Sequence, residues 1–283
     1  MVKKVNHKKW SEAVVLITGG GSGIGQALAL NLAKRGSTVL ISDINQESAV
    51  KTANECGKKA IACHLDVRDF NAVNELITSI PKNHGSLDFL FNNAGIGVGG
   101  ETYEISLEGW ERVLDINVRG VIHGVHSAYP IMVKQGSGHI INTASLAGLG
   151  PAPLVTPYAM SKHAVVGLST SLRIEAVKYG VGVSVLCPAA IETPLLDANP
   201  PADLPDANIW LPDFRRFLTK IGGPPYPVEN LAKDTIQAIE KNIGVIVIPG
   251  RARFLWRLGR LFPALMEKGG IDAVETERAY RKD

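Results

Sequence analysis

The sequence predicts an α/β fold, one doubly wound domain with a seven-stranded parallel sheet and helices on both faces. Three observations lead there. Short β-branched runs alternate with longer helical patterns through most of the 283 residues. The runs AVVLIT, TVLIS and VGVSVL are nearly all apolar, as strands covered on both faces must be. No break in composition divides the alternating segments, so one continuous domain is expected at a length that would admit two.

Taken in order, strands are expected near 13–18, 38–42, 59–65, 87–91, 138–142, 181–187 and 244–248. Helices fill the gaps at 24–35, 46–56, 69–80, 106–134, 157–179 and 228–241, with Asp69 and Ser106 placed as N-caps. Thr156 and Pro157 are expected to open their helix as N-cap and first-turn proline. Two segments leave the alternation. Residues 188–227 hold nine of the sixteen prolines together with Leu195, Leu196, Ile209, Trp210, Phe214 and Phe217, and read as a lid over a binding site. Residues 251–283 are basic and aromatic. The expected division is therefore 1–250, a catalytic domain that includes the lid, and 251–283, a C-terminal extension.

Composition narrows the function classes. Hydrophobic residues make up 45%, charged residues 20%, and mean hydropathy is +0.08, which argues against disorder. Thirty Lys and Arg against 27 Asp and Glu leave +3, so no chain-wide field draws in nucleic acid. Cys56, Cys63 and Cys187 are too few and too scattered for a disulfide framework or a thiolate zinc site. His123 and His126 lie i, i+3 on a helix without a carboxylate in register and read as packed histidines, so no metal is expected. The basic start (Lys3, Lys4, Lys8, Lys9) lacks a following signal-peptide core, and no run is long and apolar enough to span a membrane. A cytoplasmic setting is the expectation.

Strand AVVLIT runs directly into Gly19-Gly20-Gly21-Ser22-Gly23-Ile24-Gly25 and then a helix. Backbone N–H groups and a helix N-terminus are thereby presented together, an arrangement that suits a pyrophosphate. The spacing Thr18-Gly19-x-x-x-Gly23-Ile24-Gly25 differs from G-x-G-x-x-G but serves a dinucleotide in a Rossmann-type fold. Asp43 closes the second strand, where a carboxylate accepts from both ribose hydroxyls of an adenosine and repels a 2′-phosphate. Ile44 follows it and Ser22 precedes Gly23, so no basic residue welcomes that phosphate. NAD is favoured over NADP.

Tyr158 and Lys162 stand i, i+4 on a helix, phenol and ammonium on one face, thirteen residues after Ser145 at the end of strand HIINT. A free tyrosine titrates near ~10, too high for a base at neutrality. A cation at ~4 Å with an effective dielectric of ~20 contributes ~4 kcal/mol, equivalent to about three pKa units before desolvation is subtracted. Lys162 is thus expected to bring Tyr158 into working range. The Ser145 hydroxyl is expected to orient a substrate oxygen and stabilise charge developing there.

In this order and spacing, Thr18-Gly19-x3-Gly23-Ile24-Gly25, Asp66-Val67, Asn92-Asn93-Ala94-Gly95, Asn117, Ser145, Tyr158 and Lys162 resemble the single-domain branch of the short-chain dehydrogenase/reductase superfamily, over roughly residues 11–250. The resemblance implies that Asp66 and Val67 border the adenine, with Asp66 on its amino group. It implies that Asn93, Ala94 and Gly95 stabilise the central strand beside the cofactor. Asn117 would sit in a helix kink and hold a proton-relaying water, and Lys162 would also hold the nicotinamide ribose. Pro188, Ile191 and Thr193 would border the carboxamide, although Ala189 replaces the family's usual glycine. The activity implied is an NAD-dependent exchange of hydride with an apolar secondary alcohol or ketone, the apolar character read from the lid and from Leu149, Pro151, Pro153 and Leu154. The alternatives are an NADPH-dependent carbonyl reductase of the same fold and a non-catalytic dinucleotide-binding scaffold that docks partners through its C-terminal helix. Family habit implies a homodimer or homotetramer through helices 106–134 and 157–179.

Arg215, Arg216 and Lys220 in the lid are candidates to receive an acidic carrier. The segment RARFLWRLGRLF (251–262), projected at 100° per residue, groups Arg253, Arg257 and Arg260 on one side and Phe254, Leu255, Leu258, Leu261 and Phe262 on the other. It reads as a basic amphipathic helix, packed on its own domain or a sister subunit, or lying on an anionic membrane surface as a peripheral contact.

Overall fold

Seven parallel strands form one sheet in the order β3-β2-β1-β4-β5-β6-β7: β1 (Val14–Thr18), β2 (Thr38–Asp43), β3 (Ala60–His64), β4 (Phe89–Asn92), β5 (Gly138–Thr143), β6 (Val181–Pro188) and β7 (Val245–Ile248). The computed structural model of the protein describes residues 8–197 and 203–281. Lys3, Lys4, the lid prolines Pro200 and Pro201 and the last two residues of the tail lie outside the described residues, as do the side chains of Ala207 and Asn208. The chain winds outward from β1 to β3, then returns to pair β4 with the other side of β1. Strand order reverses there, opening a crevice at the carboxyl ends of β1 and β4.

Side chains alternate across each strand and so feed two cores. Val15, Ile17, Val39, Ile41, Phe89 and Phe91 pack on one face with Leu28 and Leu32 of α1 (Gly23–Lys34) and Leu231 and Ile236 of α8 (Val228–Glu240). Leu16, Leu40, Leu90 and Ile140 face the other way, toward Ile77 and Ile80 of α3 (Phe70–His84) and Met132 of α5 (Gly120–Gln135). α2 (Gln46–Cys56) lies between β2 and β3 in the chain.

The expected caps at Asp69 and Ser106 are present: Asp69 accepts from the Asn71 and Ala72 N–H groups at 2.8 and 3.1 Å, and Ser106 from Gly109 at 3.0 Å. Other boundaries move. The helix expected to stop at 80 runs through Pro81 to His84 and ends at Gly85, which has φ +87°. The single helix expected over 106–134 is α4 (Leu107–Leu114), a π turn (Asp115–Arg119) and α5. Thr156 is not an N-cap; it is the first residue of α6 (Thr156–Ala176), and its hydroxyl pairs with that of Thr102 at 2.8 Å.

The described residues of the lid include regular structure. Short 3-10 turns at Pro194–Asp197 and Pro205–Asn208 precede α7 (Phe214–Gly222). Beyond β7 the chain forms two helices, α9 (Gly250–Leu261) and α10 (Pro263–Arg278), separated where Pro263 cannot continue the first. The amphipathic projection needs correction. Ala252 is buried and Trp256 packs inward, whereas Phe254 and Leu261 are 66% and 73% exposed, so the apolar arc of α9 is split between protein and solvent. Arg253 turns back to donate from Nε and Nη2 to the Val247 carbonyl of β7, at 3.3 and 3.1 Å. No helix among the described residues is long and apolar enough to cross a membrane.

Candidate active site at the carboxyl edge of the sheet

The turn between β1 and α1 is made by backbone. Gly19 and Gly23 have φ +62° and +52°, and a Cβ on Gly25 would lie 2.1 Å from the Gly19 carbonyl oxygen. Ser22 is the extended N-cap of α1 and its side chain caps nothing, which leaves first-turn N–H groups for an external acceptor. Ile24 packs against the core beneath. The Asp43 carboxylate stands at the end of β2, with Oδ2 accepting from Gly21 N–H and Oδ1 from Asn45 N–H, both at 2.9 Å. Asn45, not Asp43, caps the following helix.

Asp66 faces a competitor. Arg68 donates to both its oxygens at 2.6–3.0 Å and holds its carboxyl below the usual carboxylate range. An adenine amino group there would share the carboxylate with that guanidinium. Val67 is buried, and its carbonyl meets His123 Nδ1 at 2.9 Å.

Asn93, Ala94 and Gly95 tie the crevice shut from below. Thr18 Oγ1 accepts from the Asn93 and Ala94 N–H groups, and Asn93 Nδ2 donates to the Thr18 and Gly19 carbonyls, all at 3.0–3.2 Å. A Cβ on Gly95 would lie 3.3 Å from Lys162 Nζ. Asn117 sits in the π turn, fully buried. Its Oδ1 accepts from Ile96 N–H at 2.9 Å, while Nδ2 donates to the Ile96 carbonyl and the Ser161 hydroxyl at 3.0 Å. The widened turn is what lets this side chain grip the strand end rather than its own helix.

Ser145, Tyr158 and Lys162 converge as their spacing predicts. Ser145 stands beside the Tyr158 phenol, close enough to favour its ionised form, and its Oγ accepts from the Ala147 N–H at 3.2 Å. Lys162 Nζ lies 5.4 Å from the Tyr158 ring centre and donates to the Thr143 carbonyl at 2.9 Å. The phenol shifts against the expected direction. Burial pushes the Tyr158 phenol up, outweighing the opposing effect of Ser145, and lowers Lys162 to about 8. Desolvation outweighs the attraction between ammonium and phenol here.

Past β6, Pro188 ends the strand, Ile191 bridges to Tyr226, and Thr193 lies 3.4 Å from where a Gly23 Cβ would stand, which brings this segment over the start of α1. Ala189, in place of glycine, extends the ladder by donating to the Ile248 carbonyl, and its φ is not positive. The substitution is therefore accommodated without strain. The acidic-carrier reading is corrected. Arg215 is engaged by Glu192 and Asp197, Arg216 by Glu277, and Lys220 by the Thr276 hydroxyl. Asp206 went unnoticed in the sequence; it is 1% exposed and receives both the N–H and the hydroxyl of Ser106, at 2.6 and 2.8 Å.

A doubly wound sheet with a glycine turn and a Ser, Tyr and buried Lys group at its carboxyl edge describes a class of α/β oxidoreductase. The chain belongs to the short-chain dehydrogenase family, whose model matches residues 13–203. It is 38% identical over 199 residues to cyclohexanol dehydrogenase of Acinetobacter sp. (strain SE19), covering 69% of this chain and 79% of that protein. Levodione reductase of Leifsonia aquatica is 35% identical over 197 residues, 67% and 73% of the two chains. Among solved structures, a short chain dehydrogenase/reductase from Burkholderia phymatum in complex with NAD superposes with TM-score 0.81 at 32% identity, covering 92% of this chain and 96% of the other. The protein is accordingly an NAD(P)-dependent oxidoreductase of alcohol and ketone groups, and the scaffold alternative is displaced.

Proposed function

We propose that the protein is an NAD-dependent dehydrogenase/reductase of apolar secondary alcohols and ketones, with Tyr158 as the general acid/base. The observation that carries this reading is the convergence of Ser145, Tyr158 and the buried Lys162, whose Nζ lies 5.4 Å from the Tyr158 ring centre. The residues present fit a dinucleotide, because the turn leaves first-turn N–H groups uncapped in a cradle that any Cβ at Gly25 would close. Gly19, Ser22, Gly23, Ile24 and Gly25 hold the pyrophosphate, and Asp43 the adenosine ribose. Asp66 and Val67 border the adenine, and Asn93, Ala94, Gly95, Pro188, Ile191 and Thr193 the nicotinamide half. Bound nicotinamide supplies or takes up the hydride.

The chain's own part is proton chemistry. Burial keeps Tyr158 protonated, so its hydroxyl is ready to give a proton to a ketone oxygen that Ser145 orients. In the reverse direction the same oxygen must take a proton, which a charged Lys162 favours. Asn117 fixes the strand end beside Lys162 and serves the proton path. Leu154, Trp210 and Phe217 pack together on the lid side, which supports an apolar substrate, as does a relative named for cyclohexanol.

The test is turnover of cyclohexanol and cyclohexanone, followed at the reduced-nicotinamide absorbance with NAD and NADP in parallel. Turnover with NAD preferred is expected. Tyr158→Phe should lose about 10³-fold, within the range general acid–base catalysis supplies, while binding NADH within threefold of wild type. Undiminished turnover in that variant would sink the assignment.

A peripheral membrane contact is proposed on a separate observation. Phe254, Leu261, Phe262 and Leu265 are exposed at the α9–α10 corner beside Arg257 and Arg260, an apolar arc flanked by cations that complements anionic lipid. Co-flotation with anionic but not zwitterionic vesicles, lost in Phe254→Ser/Leu261→Ser, is expected; a variant that instead changes only its assembly state would assign the arc to a second copy. We place assembly into a homodimer or homotetramer on α4, α5 and α6, where Leu107, Ile122, Met160 and Ile174 are exposed, and the enzyme in the cytoplasm.

A further inference from the structure

α10 carries two adjacent charged residues that reach in different directions. Glu277 is 2% exposed. Its Oε1 accepts from the Asp213 N–H at 2.8 Å and from Arg216 Nη2 at 2.5 Å, and its Oε2 accepts from Arg216 Nε at 3.1 Å. Arg278 donates from Nε and Nη2 to the two oxygens of Glu101, at 2.6 and 3.0 Å, and Glu101 is itself buried in the segment after β4. Between these links and the helix start, Ala273 and Val274 bury against Phe217 and Leu154. Lys220 of α7 adds a bond to the Thr276 hydroxyl. Taking two carboxylates out of water is costly unless each is met in bidentate geometry, as both are.

These bonds hold α7 and its cap. Asp213 caps α7, and the first helical residue, Phe214, packs its ring where Gly99 lacks a Cβ, 2.4 Å from that position, with the Leu154 carbonyl oxygen 3.0 Å from the same point. Gly99 lies four residues past Gly95, which abuts Lys162, and Leu154 lies four residues before Tyr158. On its other side, α7 is joined by Arg215 to Glu192 and Asp197, which flank Thr193. The helix is thus tied both to α10 and to the segment after β6.

We propose that Glu277 and Arg278 are positioning residues for the substrate site: α10 is a strut that fixes α7 and Phe214 over the crevice and so sets substrate affinity. The inference rests on the dehydrogenase reading for its kinetic consequence and on the fold alone for its mechanical one. Glu277→Ala should raise KM for a cyclic ketone at least tenfold, with kcat and NADH affinity within about threefold of wild type. Amide hydrogen exchange over Phe214–Gly222 should quicken at least tenfold while β1 and α1 keep their protection. Glu277→Gln retains an acceptor for the Asp213 N–H and should recover part of both effects, and it serves if the alanine variant fails to fold. Glu267→Ala, on the exposed face of the same helix, should change neither. Unchanged exchange over α7 in the Glu277 variants overturns the strut. Faster exchange with unchanged KM overturns its role in substrate affinity. Absence of turnover in the wild type would instead overturn the dehydrogenase reading, with the exchange result left to judge the strut.

Discussion

The cofactor half of the crevice and the lid half are built by different means. In the first, the backbone is central: a turn with two positive-φ glycines, N–H groups left open, and strand-end main chain laced by the short side chains of Thr18 and Asn93. In the second, charged side chains distant in sequence take that role: Glu101 with Arg278, Arg216 with Glu277, Arg215 with Glu192. Backbone devices demand particular residues at fixed short spacings. Ion pairs demand only complementary charge somewhere in the chain. The first kind of site cannot drift in sequence without losing its geometry, whereas the second can be rebuilt from other residues.

The sharpest way to break the cofactor half is Gly25→Val. Its Cβ must displace the Gly19 carbonyl, and no side-chain rearrangement can relieve a clash with main chain. NADH affinity measured by calorimetric titration should fall at least a hundredfold, about 2.7 kcal/mol. Lys162, where the halves meet, gives the next effect. Its pKa is about 8 in the folded protein against ~10.4 unfolded, so between these values the unfolded chain binds more protons and stability rises with pH. The gain should be about 2 kcal/mol from pH 7 to pH 10, read from denaturant midpoints, and absent in Lys162→Met. Above pH 10 the raised Tyr158 acts with the opposite sign, since the folded state then holds the extra proton. The smallest effect tests the lid half. Asp206→Asn keeps the size and one acceptor for Ser106, and should cost about 1 kcal/mol of stability with NADH binding unaltered.

The same contrast explains what the sequence made legible. The seven strands, Gly19 to Gly25, Asp43, and Ser145 with Tyr158 and Lys162 could be read because each rests on local period or spacing. Arg278 and Glu101 are 177 residues apart, and Asp206 and Ser106 a hundred, so neither pair leaves a local trace. Helical projection grouped Phe254 and Leu255 together but could not show that the protein would cover Trp256 and leave Phe254 in water. Spacing likewise placed the ammonium by the phenol, yet the burial that shifts both groups depends on the folded surroundings, which helical spacing does not show.

Arg253 gives the C-terminal extension a second task. β7 is the last strand, and its outward Val247 carbonyl is already taken by a guanidinium on the next helix. Chains cut short before residue 250 would bare that margin to any neighbouring polypeptide in extended form. Such fragments should gather into insoluble assemblies instead of persisting as dispersed molecules with an uncovered cleft.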